Sequence, residues 1–120
     1  MQIYGTRKCS ITKKAERFFR ERGIKYHFVD LGEHRLSKGE LDNIRRGISK
    51  TESLINTESP AFRKRGLEYM DYNESEEILA DPLLLQTPVV RENTKVIVGA
   101  KEVEWKHLAE MLRAGQTRSG

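Results

Sequence analysis

The sequence predicts an α/β fold: a four-stranded mixed sheet flanked by helices, with a helical insertion in the middle of the chain. Three observations predict it. A strand-like run, a helical apolar stripe and a second strand-like run succeed one another early in the chain. Two β-rich runs separated by a short polar turn, then an amphipathic helix, close it. Between these parts, from about residue 36 to 81, the patterning is helical in short pieces.

Gln2-Ile3-Tyr4 forms the first strand candidate, ended by Gly5. Ile11, Ala15, Phe18 and Phe19 then recur at i, i+4, i+7 and i+8, the spacing of one helix face, up to Gly23. Residues 24–30 alternate, with Ile24, Tyr26 and Phe28 opposite Lys25 and His27, which predicts a second strand. A helix between two strands implies a right-handed parallel crossover. Ser37-Lys38-Gly39-Glu40 has the form of a capping box, and Leu41, Ile44 and Ile48 follow at helical spacing as far as Ser49. Residues 51–81 carry further short amphipathic pieces, the last opened by the Asn73-Glu74-Ser75-Glu76 cap and stopped by Pro82. Residues 88–91 and 95–98 predict an antiparallel hairpin joined by a three-residue connection, Glu92-Asn93-Thr94, with a bulge. Trp105, Leu108, Ala109 and Leu112 stripe a closing helix, and residues 115–120 have no apolar content, so they are expected to form a flexible tail. Residues 1–114 are thus expected to form one domain. Matched to known architectures, the order βαβ, helical block, ββ, α is that of the thioredoxin-like fold.

At 120 residues, 37% hydrophobic and 33% charged, the chain can bury a core and is not of disordered composition. No run approaches the roughly 18 apolar residues of a membrane span, and the first residues lack a basic segment followed by an apolar one, so a cytoplasmic protein without membrane association is expected. A single cysteine excludes an intramolecular disulfide scaffold, and its three histidines show no metal-ligand spacing, so no metal is assigned. The net charge of +4 comes from nearly balanced acids and bases, which argues against a direct nucleic-acid binder. A monomer is expected.

Cys9 lies in the loop between the first strand and the first helix. Its sulfur can meet unpaired amide N–H groups of the first helical turn, which favour a thiolate. Arg7, Lys8, Lys13 and Lys14 add positive potential of the kind that lowers a thiol pKa. Ser10 and Thr12 are placed either to donate to the sulfur or substrate, or to cap the helix. Thr87-Pro88 opens the third strand, with a cis bond proposed there.

The segments Tyr4-Gly5-x-x-x-Cys9-x-x-x-Lys13-Lys14-Ala15, Gly23-Ile24-x-Tyr26-x-Phe28-x-Asp30, Pro60-Ala61-Phe62-Arg63-Lys64, Thr87-Pro88-Val89-Val90, Lys95-Val96-Ile97-Val98-Gly99 and Trp105 resemble the arsenate reductase (ArsC) family, its YffB/Spx-like branch in particular. The resemblance implies that Cys9 is the nucleophile and Arg63 an anion-binding arginine. Arsenate reductases of this fold use three such arginines. The position of the second, before the strand-opening proline, is Thr87 here, and the third falls near Val98, so Arg91 is the remaining candidate for support beside Lys8 and Lys13. Spx-type relatives bind the α subunit of RNA polymerase, many with a Cys-x-x-Cys switch whose second position is Thr12 in this chain. YffB-like relatives imply a glutathione-dependent thiol reductase with no bound cofactor. The expected function is therefore a monothiol oxidoreductase with glutathione as co-substrate. The alternatives are an arsenate reductase linked to glutathione and glutaredoxin, or an Spx-like regulator. Its ligand would be glutathione or a small oxyanion, held by Arg63, Ser10, Thr12, Thr87 and Pro88.

Overall fold

The computed structural model describes residues 1–118, with side chains described as far as residue 114. Four strands, β1 (Gln2–Gly5), β2 (His27–Asp30), β3 (Val89–Glu92) and β4 (Lys95–Val98), form one mixed sheet in the order β2-β1-β3-β4. β1 and β2 run parallel, as the intervening helix α1 (Ser10–Glu21) requires, while β3 is antiparallel to both β1 and β4.

Because successive strand residues point to opposite faces, the sheet carries two cores. On one face, Ile3, Val90 and Ile97 meet Ala15 and Phe19 of α1 and Trp105, Leu108 and Ala109 of α5 (Glu102–Arg118). Trp105 is fully buried and packs 5.8 Å from the Phe18 ring and 6.5 Å from Phe19. On the other face, Tyr4, Val89, Val96 and Val98 meet the inserted helices α2 (Lys38–Arg46), α3 (Pro60–Lys64) and α4 (Glu74–Ala80) through Leu41, Ile44, Phe62 and Ile78. At α2 and α4 the caps are those the sequence predicts, whereas α1 takes Cys9 as its N-cap in place of the expected Ser10 or Thr12. Ser37 and Glu40 close the capping box of α2, and the Asn73 side chain accepts from the Glu76 amide at the start of α4.

Three expectations are corrected. β2 begins at His27 rather than residue 24, because Gly23 adopts φ 70 and the Gly23 and Ile24 amides turn back to the carbonyls of Arg20 and Phe19, closing α1 with a left-handed cap. Ile24 is buried as part of that cap. The hairpin is two residues long: Glu92 pairs directly with Lys95, and Asn93 takes φ 54, a conformation asparagine tolerates, so no third residue or bulge is needed. The helix α5 runs through part of the expected tail to Arg118, since backbone hydrogen bonding continues past the last apolar residue of the stripe; residues 119 and 120 lie outside the described residues.

The insertion returns to the sheet just before β3. Ile55 bridges Leu85, the Gln86 amide donates to the Leu54 carbonyl (2.7 Å), and the Asn56 amide donates to that of Leu84 (2.8 Å). This pairing fixes the path of the chain into Thr87. No helix among the described residues is long and apolar enough to cross a membrane.

Candidate active site

Cys9 sits beyond the carboxyl end of β1, in extended conformation (φ −79, ψ 114), as the N-cap residue of α1. An N-cap side chain normally offers oxygen to the first free amides; here sulfur takes that place. The Thr12 amide donates to Cys9 Sγ at 3.4 Å. From the other side of the sheet's end, the Thr87 hydroxyl donates to the same sulfur at 3.3 Å. Two segments 78 residues apart in sequence therefore converge on one half-buried thiol.

These contacts set its acidity. Burial opposes ionisation and is the largest single influence, yet the donors from Thr12 and Thr87 and the Thr12 and Ile11 amides outweigh it, holding the Cys9 thiol below its ordinary value. The Thr12 hydroxyl is fully buried and meets no partner at hydrogen-bonding geometry among the described residues. It nonetheless counts among the groups around the sulfur that favour the thiolate. Its position is fixed by Gly5, where an added Cβ would lie 2.4 Å from Thr12 Cγ2 and Oγ1. In the sequence Gly5 marks a strand end and a place in the Tyr4-Gly5-x-x-x-Cys9 segment, and neither signals this packing against Thr12.

The other expected site residues are distributed as follows. Ser10 is the first residue of α1 and is exposed. Pro88 is buried next to Thr87 behind a cis peptide bond, and its carbonyl accepts from the Gly99 amide at 2.8 Å. Lys8 and Lys13 are exposed and make no ion pair among the described residues, while Lys14 pairs with Glu102 and Arg7 with Asp30 (3.1 Å). The groups that lower the thiol's pKa are hydrogen-bond donors at the sulfur, while these exposed cations act through water and are screened. Arg63 is exposed on α3 and its side chain makes no hydrogen bond or ion pair among the described residues, so nothing in the fold ties it to Cys9.

Arg91 is not brought to the thiol. It lies opposite Gln2, at the far end of the strand from Thr87, and four residues of strand span about 13 Å. Its Nε donates to the Asn93 carbonyl (3.4 Å), away from the site. The proline-plus-three position places it there: the β3 register pairs Val89 with Tyr4 and carries each later residue further from the loop.

Among the described residues no group of three or more His, Cys, Asp or Glu side chains could hold a metal ion. The arrangement presents one half-buried, acidified thiol, held by neutral donors, at the end of the two central strands of the sheet.

The model of the ArsC family matches residues 4–108. Among curated proteins, the chain is 29% identical over 106 residues to a protein named Global transcriptional regulator Spx 2 of Oceanobacillus iheyensis, covering 85% of this chain and 78% of that one. Among solved structures, it is 29% identical to an arsenate reductase (ArsC) related protein from Brucella melitensis, with TM-score 0.64 and coverage of 88% and 91%. The YffB protein, 24% identical, superposes with TM-score 0.76 over 88% of this chain and 96% of its own, which speaks for the shared fold. With a family match spanning the cysteine loop, the inserted helices and the strand-opening proline, the chain belongs to the ArsC family, as a YffB/Spx-like member with the thioredoxin-like fold.

Proposed function

We propose that this protein is a monothiol oxidoreductase that reduces glutathione mixed disulfides, with Cys9 as nucleophile and glutathione as co-substrate. The observation that carries the reading is the Cys9 sulfur, which accepts from the Thr12 amide and the Thr87 hydroxyl and is thereby more acidic than an ordinary thiol. The Cys9 thiolate attacks the glutathionyl sulfur of a mixed disulfide. That S–S bond breaks, a new one forms between Cys9 and glutathione, and the displaced substrate thiolate leaves with the electron pair and takes a proton from water. A second glutathione, as thiolate, attacks the glutathione sulfur of the adduct, restoring the Cys9 thiolate and releasing glutathione disulfide. One mixed disulfide and one glutathione become one free thiol and one glutathione disulfide. Arg63, on α3 and without a side-chain partner among the described residues, is the side chain we assign to a glutathione carboxylate, with Ser10 offering a hydroxyl at the exposed start of α1.

The test is intact-protein mass measurement after incubation with oxidised glutathione. A single glutathionyl adduct on Cys9, absent in Cys9→Ser and removed by reduced glutathione, is the expected result. An unmodified chain would sink the reading.

One observation favours a second reading. The relative named a global transcriptional regulator suggests that this chain acts by binding RNA polymerase through its α subunit. Thr12 in place of a second cysteine removes the dithiol switch, so such binding would be independent of Cys9 oxidation. Capture of RNA polymerase by Cys9→Ser as efficiently as by the native chain, with no adduct formed on Cys9, would favour the regulator over the enzyme.

A further inference from the structure

The arginine that the fold carries away from Cys9 belongs to a different feature. A cleft of about 400 Å³ opens between the end of α2 and the β3–β4 turn, lined by Asn43, Arg46, Gly47, Arg91, Asn93 and Thr94. Two guanidinium groups, two carboxamides and one hydroxyl line it, and no carboxylate does. Arg46 is exposed and has no hydrogen bond or ion pair among the described residues. Arg91 uses its Nε on the Asn93 carbonyl and lies against the Tyr4 hydroxyl. Two acidic side chains, one next to it in sequence and one linked to it through Tyr4, are engaged elsewhere: Glu92 pairs with the Met1 amine (3.1 Å), and Glu40, which also reaches the Tyr4 hydroxyl, accepts from the Ser37 amide (3.1 Å) and contacts His34 (3.3 Å).

Gly47 brings the two arginines together. A Cβ there would meet Val96 Cγ2 at 2.3 Å and the Thr94 carbonyl oxygen at 3.0 Å, so only glycine lets the end of α2 press onto the hairpin this closely. At the turn, Asn93 holds φ 54, which fixes its place at the rim. The backbone that frames the cleft is thus fixed by packing, with the exposed Arg46 side chain lining it from the end of α2.

We propose that this cleft is a second anion site, for inorganic phosphate or the phosphate group of a monoester, independent of the thiol chemistry. Its donors match a tetrahedral oxyanion with two or more charges: guanidinium groups supply charge-assisted, directional hydrogen bonds, and the Asn and Thr side chains complete them. The site lies at the opposite end of the sheet from Cys9, so its occupancy need not affect the sulfur.

The experiment is an amide and guanidinium NMR titration of the full chain with potassium phosphate, against potassium chloride at equal ionic strength. Expected are saturating shifts at Gly47, Asn93, Thr94 and the Arg91 side chain with phosphate alone. Arg46→Gln, an exposed substitution that spares the packing, is expected to weaken saturation about tenfold, the loss of one charge-assisted donor. Phenyl phosphate run in parallel separates the two sources: tighter binding than inorganic phosphate identifies a monoester, weaker binding the free ion. Non-saturating shifts, equal shifts with chloride, or saturation unchanged in Arg46→Gln would overturn the site.

Discussion

Replacing Thr87 by Val removes the hydroxyl that donates to Cys9 Sγ at 3.3 Å while keeping the side chain's shape. A hydrogen bond to a charged acceptor contributes about 1.5–3 kcal/mol. Cys9 is half-buried, so water recovers part of that, and about 1 kcal/mol is the fair figure. At 25 °C this leaves roughly fivefold less thiolate when the solution lies well below the thiol's midpoint. The remaining thiolate is more basic and, with a Brønsted slope of about 0.45, roughly twofold more nucleophilic. The two effects oppose each other. Below the midpoint the variant should react with a pyridyl disulfide roughly 2.5-fold more slowly than the native chain; well above it, where both are fully ionised, roughly twofold faster. The assay is release of the pyridyl thione, followed by absorbance across a pH series. Thr87→Ser, which keeps the donor, should track the native profile. A Val variant whose rate ratio stays flat with pH would refute the claim that this hydroxyl stabilises the thiolate.

Gly5→Ala should lower thiol reactivity without touching the sulfur directly, because the new Cβ would meet Thr12 at 2.4 Å and displace the residue whose amide donates to Cys9 Sγ; the same pH series checks it. Leu108→Ala removes a fully buried side chain from the core between α5 and the sheet and should cost ~2–5 kcal/mol, read as a lower urea midpoint with an unchanged slope. For Cys9 itself the linkage has a definite sign. A thiol acidified by folding binds fewer protons in the native chain than in the unfolded one, so stability should rise with pH from the native midpoint up to the ordinary thiol value and level off above it. Urea midpoints of Cys9→Ser should lack that rise.

The parts of this structure that local chemistry dictates were legible in the sequence. Ser37 with Glu40, Asn73 with Glu76 and the Ala15-Phe18-Phe19 stripe each specify their element within a few residues, whereas Ile11 of the same stripe is exposed and Cys9 takes the N-cap place expected of Ser10 or Thr12. What stayed hidden depends on register and close approach. The length of the hairpin turned on whether Asn93 accepts a positive φ, and the start of β2 on whether the chain after Gly23 folds back onto α1 before extending. Arg91 is the sequence's remaining candidate to stand in for two missing arginines, and the register of β3 decides against it, since the step from Pro88 along the strand leads away from the site. The packing of Gly5 on Thr12 and of Gly47 on Val96 depends on segments brought together only by the fold, and no pattern within either segment signals it.

The donors around Cys9 also bear on which electrophile it suits. Attack on a disulfide spreads a single negative charge over three sulfurs, and neutral donors that acidify the thiol without fixing a second charge are enough. Attack on arsenate gathers several charges on oxygen and needs charge-assisted donors aimed at them. At Cys9 the described donors are the Thr12 amide and the Thr87 hydroxyl, and Arg7 is tied to Asp30. Thr87 occupies the position where arsenate reductases of this fold carry an arginine, and here its one proton is given to sulfur. Thr87→Arg should therefore exchange one chemistry for the other: millimolar arsenate should slow pyridyl disulfide modification of Cys9 in the variant and leave the native rate unchanged. Equal protection of both proteins would mean that the native site already binds the oxyanion, and the assignment of Thr87 to the thiolate alone would fall.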